Sequence, residues 1–542
     1  MNRRNALLSL AAIAVAAVIV RAVAATLIVF PKPEDTAYYV GVARNLLEGR
    51  GLVSDALWSY GTPPLQFPRP AFEVWLPMPT FLAAIPMAFA GLTFAAAQVS
   101  SVVVGAIVPL LAWRVAAEAA TERGLPPGRV AVLGLGAGLT AAVYLPLVLH
   151  SALPDSTMPF AALALAACLL MARIAAQPRE ARASDPRLLG LGVLLGLAAL
   201  TRNEAAWLAL TWVIVAWTVA GSPRDRRLRM ILVPAVVAFA IFLPWAIRDW
   251  LAFGSPLPGQ AVANALSLDG RDIFAWSDPP TLARYLAAGP GRLLELRLLG
   301  IGHNLLNVLL LLGLPISAIG LAALPWFGRG PALRPLLLFS ALTFAITSLV
   351  FPVATTWGTF LHAAGPIHVL LVVTCLLALD ALIAAVGRRR AWTRPVAWLG
   401  PALTVFGGAV FSVAVLPSFG AGSRDTQAQY AALAEAMARA GAPLITAGPI
   451  ITNFPIWLAE TARVPSLALP NEPPSSVLSL AAYPAFKGTQ FVIVQGRDEG
   501  RYPAAIDAGE PGSECFREIA LSQPGIDPGP LRDTRVFRLV CP

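Results

Sequence analysis

About eleven apolar blocks, most near the 20 or so residues a helix needs to cross a bilayer, follow one another along this chain. They fall near 6–30, 94–113, 130–149, 156–174, 188–201, 204–220, 230–247, 300–322, 335–352, 364–386 and 396–416, where 188–220 reads either as two short helices meeting at Thr201-Arg202-Asn203-Glu204 or as one long broken helix. In hydrocarbon every backbone polar group must be satisfied within the protein, which leaves helices or closed barrels. Blocks of this length and continuity specify helices. The expected fold class is therefore a mainly α, polytopic membrane protein with about 11 transmembrane helices.

Composition agrees: 57% of the 542 residues are apolar, 13% are charged, and the mean hydropathy is +0.69. The net charge of +10 comes almost wholly from arginine, since lysine occurs only at Lys32 and Lys487. The arginines sit in alternate short loops: Arg173, Arg179, Arg182 and Arg187; then Arg224, Arg226, Arg227 and Arg229; then Arg329 and Arg334; then Arg388, Arg389, Arg390 and Arg394. This is an orientation signal that puts those loops in the cytoplasm, not a nucleic-acid patch. Arg3 and Arg4 place the N-terminus on the same side. The first apolar block is longer than a signal-peptide core and is interrupted by Arg21, so it reads as a retained span. The expected location is the plasma (inner) membrane.

That parity puts residues 31–93, a large first loop, outside. Its apolar piece Leu76–Ala90 contains Pro77, Pro79 and Pro86 and is short for a crossing. It reads as a helix lying against the outer face. Residues 1–420 are expected to form the membrane domain and 421–542 a small extracytoplasmic α/β accessory domain. In the latter, Asp425–Ala440 reads as an amphipathic helix, and 443–447, 490–494 and 534–540 read as strands. It has no glycine-rich phosphate loop, so no cofactor is assigned to it. Cys515 and Cys541 are either a disulfide or two free thiols, while Cys168 and Cys375 fall within spans. No metal-ligand spacing is present.

The first loop carries more than a connection requires. Glu34 and Asp35 precede a helix expected over 36–48, whose stripe of Tyr39, Val40, Ala43, Leu46 and Leu47 can anchor on a bilayer surface and which Gly49 and Gly51 stop. Asp35 is either a helix N-cap or a functional carboxylate. Arg69 and Glu73 follow. Other ionisable residues recur at the same side of the membrane: His150 and Asp155, Arg202 and Glu204, Arg248 and Asp249, His362 and His368. Charges at a membrane boundary are costly and point to a site. Arginines can hold a lipid phosphate, and a carboxylate can take a proton from an attacking hydroxyl.

The order of short motifs resembles the GT-C glycosyltransferases, polytopic enzymes that use polyprenyl-phosphate sugars and include protein O-mannosyltransferases and lipid A aminoarabinose transferases. The resemblance rests on Glu34-Asp35-Thr36-Ala37-Tyr38-Tyr39, Arg69-Pro70 before Trp75-Leu76-Pro77, Leu153-Pro154-Asp155, the Gly196–Arg202 corner, and Pro244-Trp245-Ala246-Ile247-Arg248-Asp249 with Phe253-Gly254-Ser255-Pro256. It implies an inverting, metal-independent transfer from a polyprenyl-phosphate-linked sugar to a protein, lipid or cell-envelope glycan on the outer face. It also implies that Asp35 or Glu34 is the catalytic carboxylate and Asp155 the second acid. Arg69, Glu73, Arg202, Arg248 and His362 are then expected to bind substrate, His362 standing where many members have arginine. The alternatives are a transporter or flippase of lipid-linked sugars and an oligosaccharyltransferase-like enzyme, whose acidic motifs would bind a metal.

Overall fold

Seven helices in the computed structural model are long and apolar enough to cross a bilayer, or eight if the bent pair Pro127–Val143 and Leu145–Ser151 is one span. These counts refer to the described residues: 3–177, 185–219, 223–392, 396–496, 500–522 and 527–541. The loop residues Arg179, Arg182 and Arg394 lie outside them, as does the side chain of Arg3. The other expected crossings fall on shorter helices. The blocks at 188–201, 204–220 and 335–352 form Pro186–Ala199, Ala205–Trp217 and Arg334–Leu349, of 14, 13 and 16 residues. The block at 300–322 is divided: its first part is the π-helical end, His303–Leu311, of the crossing-length helix Gly289–Leu311, and its second part is the separate α-helix Ile316–Phe327. Pro315, which has no N–H to donate, stands at the break.

Arginines of the alternate loops gather at one end of the bundle. Arg123 donates to the carbonyls of Trp326 and Phe327, Arg173 pairs with Glu118, Arg129 pairs with Asp380, and Arg334 donates to Thr218. Asp35, Asp155, Arg202 and His362 lie together elsewhere, where the first loop meets the helix ends. Met78–Ala90, the expected juxtamembrane helix, is 13 residues long, and its first amide donates to the carbonyl of Leu200 beside Arg202.

The bent span has a local cause. Pro146 cannot donate to the carbonyl of Ala142 four residues back, so the ladder opens there. The two pieces meet at 55°. Arg21, fully buried in the helix Arg3–Leu27, donates to that Ala142 carbonyl at 3.1 Å and to Ser151 Oγ at 3.0 Å. Ser412 donates to the carbonyl of Val143. Carbonyls that hydrocarbon could not solvate are thereby satisfied, and the piece carrying His150 is held in place.

In the first loop β1 (Val53–Ser54) pairs antiparallel with β3 (Arg69–Pro70), and the C-terminal part is built around one six-stranded sheet. Its strands are β4 (Ile450–Thr452), β5 (Ser466–Ala468), β6 (Phe491–Gln495), β7 (Phe516–Ile519) and β8 (Thr534–Leu539), joined by β2 (Ala56–Leu57) from the first loop. β2, β5, β4 and β6 are parallel neighbours, and β8 and β7 close the sheet antiparallel. The strand expected at 443–447 is instead a 3-10 turn, Leu444–Thr446, and the strand begins at Ile450. The amphipathic helix expected at 425–440 is the end of one 41-residue helix, Leu399–Arg439, that continues out of the bundle. Cys515 and Cys541 are disulfide-bonded.

One hydrophobic cluster joins the two parts, packing Tyr38, Tyr39, Phe72 and Trp245 with Leu433, Ile450, Trp457 and Ile493. The helix Glu34–Leu47 lies inside this cluster. It begins after Pro33 with two acidic residues in its first turn, where the helix dipole favours them, and Gly49 follows its end at φ +81°. The surface helix expected from the apolar stripe is thus enclosed: Thr36 to Asn45 are almost all buried. Arg44, which lies off the stripe, is buried against Glu460.

Candidate active site

Four ionisable side chains, His150, Asp155 and His362 buried and Asp35 half-buried, stand in a string of close charge contacts where the first loop meets the bundle. Asp35 Oδ2 is 3.1 Å from His362 Nε2. On the other side of that ring, Nδ1 lies 2.7 Å from Thr157 Oγ1 and 3.6 Å from Asp155 Oδ2. His150 Nδ1 approaches the same Asp155 oxygen at 3.1 Å. Asp155 Oδ1 accepts the Thr157 amide at 2.8 Å, which fixes the carboxylate between the two imidazoles.

Each member is positioned by a separate element. Asp35 is the second residue of Glu34–Leu47, and His150 ends the bent span. Asp155 and Thr157 straddle the start of Thr157–Ala176. His362 rides the short helix Thr359–Ala363 behind Gly358, whose φ of +109° only glycine adopts readily. A Cβ at Gly358 would also stand 3.3 Å from the His362 ring.

The electrostatics follow from the pairing. Burial alone would raise the Asp155 carboxyl, but hydrogen bonds and charge from His150 and His362 outweigh it and hold the group below the ordinary carboxylate range. Burial opposes the His362 imidazolium, yet the Asp35 charge first, and Asp155 with it, pull the ring above its usual value. The string therefore favours an ionised Asp155 beside a protonated His362.

Arg202 closes one side. It donates to Ser156 Oγ at 2.7 Å and to the Thr359 carbonyl at 3.2 Å, and grips Glu204 with two nitrogens at 2.8 and 3.0 Å. The guanidinium thus touches residues flanking both Asp155 and His362.

The other expected site residues lie apart from this string. Glu34, adjacent to Asp35, turns the opposite way: its carboxyl accepts the Ile456 amide at 3.0 Å. Burial pushes it up to about 8, against the lowering effect of the Ile456 and Trp457 amides and the Trp58 indole. Arg69 is buried, donates to the carbonyls of Pro64 and Thr62, and pairs with Glu73, so both are spent on folding the loop. Arg248 donates to the Ala71 carbonyl and to Asp249, its guanidinium lying over the Trp245 and Phe253 rings. Asp35 does not act as the helix N-cap, a position held by Pro33. His150, Ser156 and Thr157 join the site without having been given a role from sequence; the one available signal was His150 standing five residues before Asp155.

No family model matches the sequence, and no curated protein matches it. Solved structures do. ArnT from Cupriavidus metallidurans bound to undecaprenyl phosphate is similar with a TM-score of 0.57 at 13% identity, over 97% of each chain. The oligosaccharyltransferase of Archaeoglobus fulgidus, tethered to an acceptor peptide containing the NVT sequon, is similar with a TM-score of 0.57 at 14% identity. That match covers 97% of this chain and 75% of the other. The likeness, at identities this low, is one of fold.

Proposed function

We propose that this chain, with its GT-C fold as the premise, is a membrane glycosyltransferase moving a sugar from a polyprenyl-phosphate donor to a hydroxyl acceptor outside the cytoplasm. The acceptor oxygen attacks the anomeric carbon as the bond from that carbon to the phosphate oxygen breaks. The electron pair leaves with the lipid phosphate, the acceptor's proton goes to Asp35, and the sugar carbon is inverted. Negative charge near the anomeric carbon also favours its oxocarbenium-like transition state. His362, held between Asp35 and Asp155, orients the Asp35 carboxylate through the 3.1 Å contact with its Nε2. Arg202 is the group proposed to meet the phosphate.

The observation that carries this reading is the 3.1 Å contact of Asp35 with His362, backed by Asp155 and His150. Asp35→Asn tests it. The variant should fold and bind polyprenyl phosphate, while transfer falls roughly 100-fold or more, the scale of losing a general base. Normal turnover by this variant would end the mechanism.

One observation favours a second, metal-assisted reading, the oligosaccharyltransferase-like alternative. Ligand atoms of His150, Asp155 and His362 lie within 4.8 Å of one another. Two imidazoles and a carboxylate suit zinc or manganese. Both His362 nitrogens already have partners in Asp35 and Thr157, so the ring would have to turn to bind an ion. Transfer that survives chelation supports the first reading; transfer lost on chelation and restored by a divalent ion supports the second.

A further inference from the structure

Glu34 and Asp35 are consecutive, yet they serve different neighbours. Asp35 faces His362 in the membrane part. Glu34 reaches the first turn of the helix Pro455–Ala462, in the sheet part, where its Oε1 accepts the Ile456 amide. The same two helices are joined again one helix length on. Arg44 and Glu460 form a buried pair, bidentate in its hydrogen bonds. Between these two points the helices nearly touch: a Cβ on Gly41 would stand 3.1 Å from a Glu460 oxygen. Further ties run along the same seam. Trp457 Nε1 donates to the Pro31 carbonyl at 3.0 Å, Tyr60 donates to the Ala468 carbonyl, and β2 pairs with β5.

We propose that Glu34 is a positioning residue: its carboxyl fastens the helix that carries Asp35 to the sheet, and so sets Asp35 against His362. The proposal rests on the sugar-transfer reading. It makes the sheet part of the active site instead of an accessory above it. Two contacts at the ends of one short helix fix both its depth and its rotation. Without the first contact, the first turn of Glu34–Leu47 keeps only Pro33 at its N-cap, with no side-chain cap.

The latch works as a neutral acid. Half-buried beside Trp58, Trp457 and Tyr430, the group stays protonated below about 8. The titratable and charged groups around it are Asp35 on its own helix, Tyr430 on Leu399–Arg439, and the Lys32 ammonium over the Trp457 ring. The folded value lies above the unfolded one, so the stabilisation is complete below the ordinary carboxylate range and is lost as pH rises through about 8. Above that, Glu34 carries a charge that its surroundings disfavour, and the seam loosens.

The experiment uses the full chain in nanodiscs with Glu34→Ala, which removes the acceptor, and Glu34→Gln, which keeps an acceptor but cannot ionise. Three quantities are read: transfer rate against pH, binding of polyprenyl phosphate, and hydrogen exchange of the helix 34–47. Glu34→Ala should lower transfer roughly 10–100-fold, the scale of a small misplacement of a reacting group. Lipid binding should be unchanged and exchange in the helix faster. Glu34→Gln should restore transfer at neutral pH and flatten its fall above pH 8. Wild-type exchange and a wild-type pH profile in Glu34→Ala would overturn the proposal. So would an inactive Glu34→Gln beside an active Asp35→Asn, which makes Glu34 the base. Faster exchange in Glu34→Ala together with normal transfer by Asp35→Asn would overturn the transfer reading and leave the seam standing.

Discussion

Replacing Arg44 with methionine removes one half of a buried ion pair on the seam and leaves Glu460 behind. Both side chains are 8% exposed. Breaking such a pair from one side costs about 3–5 kcal/mol when the orphan stays charged. Glu460 has another course. Burial already raises its carboxyl, with Arg44 as the main opposing influence. Without Arg44 it rises further and takes up a proton. The cost is then that of holding a carboxyl neutral, and it grows with pH because the unfolded chain ionises more readily. Arg44→Met should therefore be mildly destabilised at pH 5 and strongly at pH 8. A local loss of about 3 kcal/mol corresponds to roughly 100-fold faster exchange if the seam opens locally. Hydrogen exchange of residues 36–47 in nanodiscs at the two pH values reads this directly. The double variant Arg44→Met with Glu460→Met replaces the pair by apolar groups and should recover most of the loss. If Arg44→Met exchanged like wild type at both pH values, the pair would not be holding the helix.

Arg202→Ala should weaken binding of polyprenyl phosphate at least tenfold, since a hydrogen bond to a charged group contributes about 1.5–3 kcal/mol; Arg202→Lys should keep part of it, and unchanged binding by the alanine variant would refute the phosphate assignment. Orientation is checked by single cysteines at the exposed positions Lys487 and Arg123. Lys487→Cys should label from outside in intact cells and Arg123→Cys only after permeabilisation; the reverse would invert the membrane topology.

The sequence exposed those features whose causes are local. Apolar length marked the helices of the bundle, of which seven or eight among the described residues are long enough to cross where about eleven crossings were expected, and the Pro33–Glu34–Asp35 start with Gly49 at the end marked the first-loop helix to within two residues. Charge parity put Asp35, Asp155, Arg202 and His362 on one side, and the structure brings these together. It gave no means of separating them from Arg69, Glu73, Arg248 and Glu34, because the difference lies in partners distant along the chain. Glu34 is committed to Ile456, and Arg44 to Glu460. Arg69 was misleading for another reason: prolines bend its loop so that carbonyls surround a guanidinium that residue type alone would send to a phosphate. β2, two residues long, has no periodicity to detect.

That short strand sets an order of assembly. Ala56 pairs with Ser466, about 410 residues later in the chain. At roughly 5–20 residues per second of synthesis, the first loop waits about 20–80 s for its neighbour to exist. Throughout that interval the bundle can insert span by span, but β2 has no strand beside it and Glu34 has no amide to meet. The emerging loop must be kept from pairing with other chains, as any unpaired strand edge must. A ribosome that stops before residue 450 would leave a protein whose helices can all be in the membrane and whose Asp35 is not yet aimed.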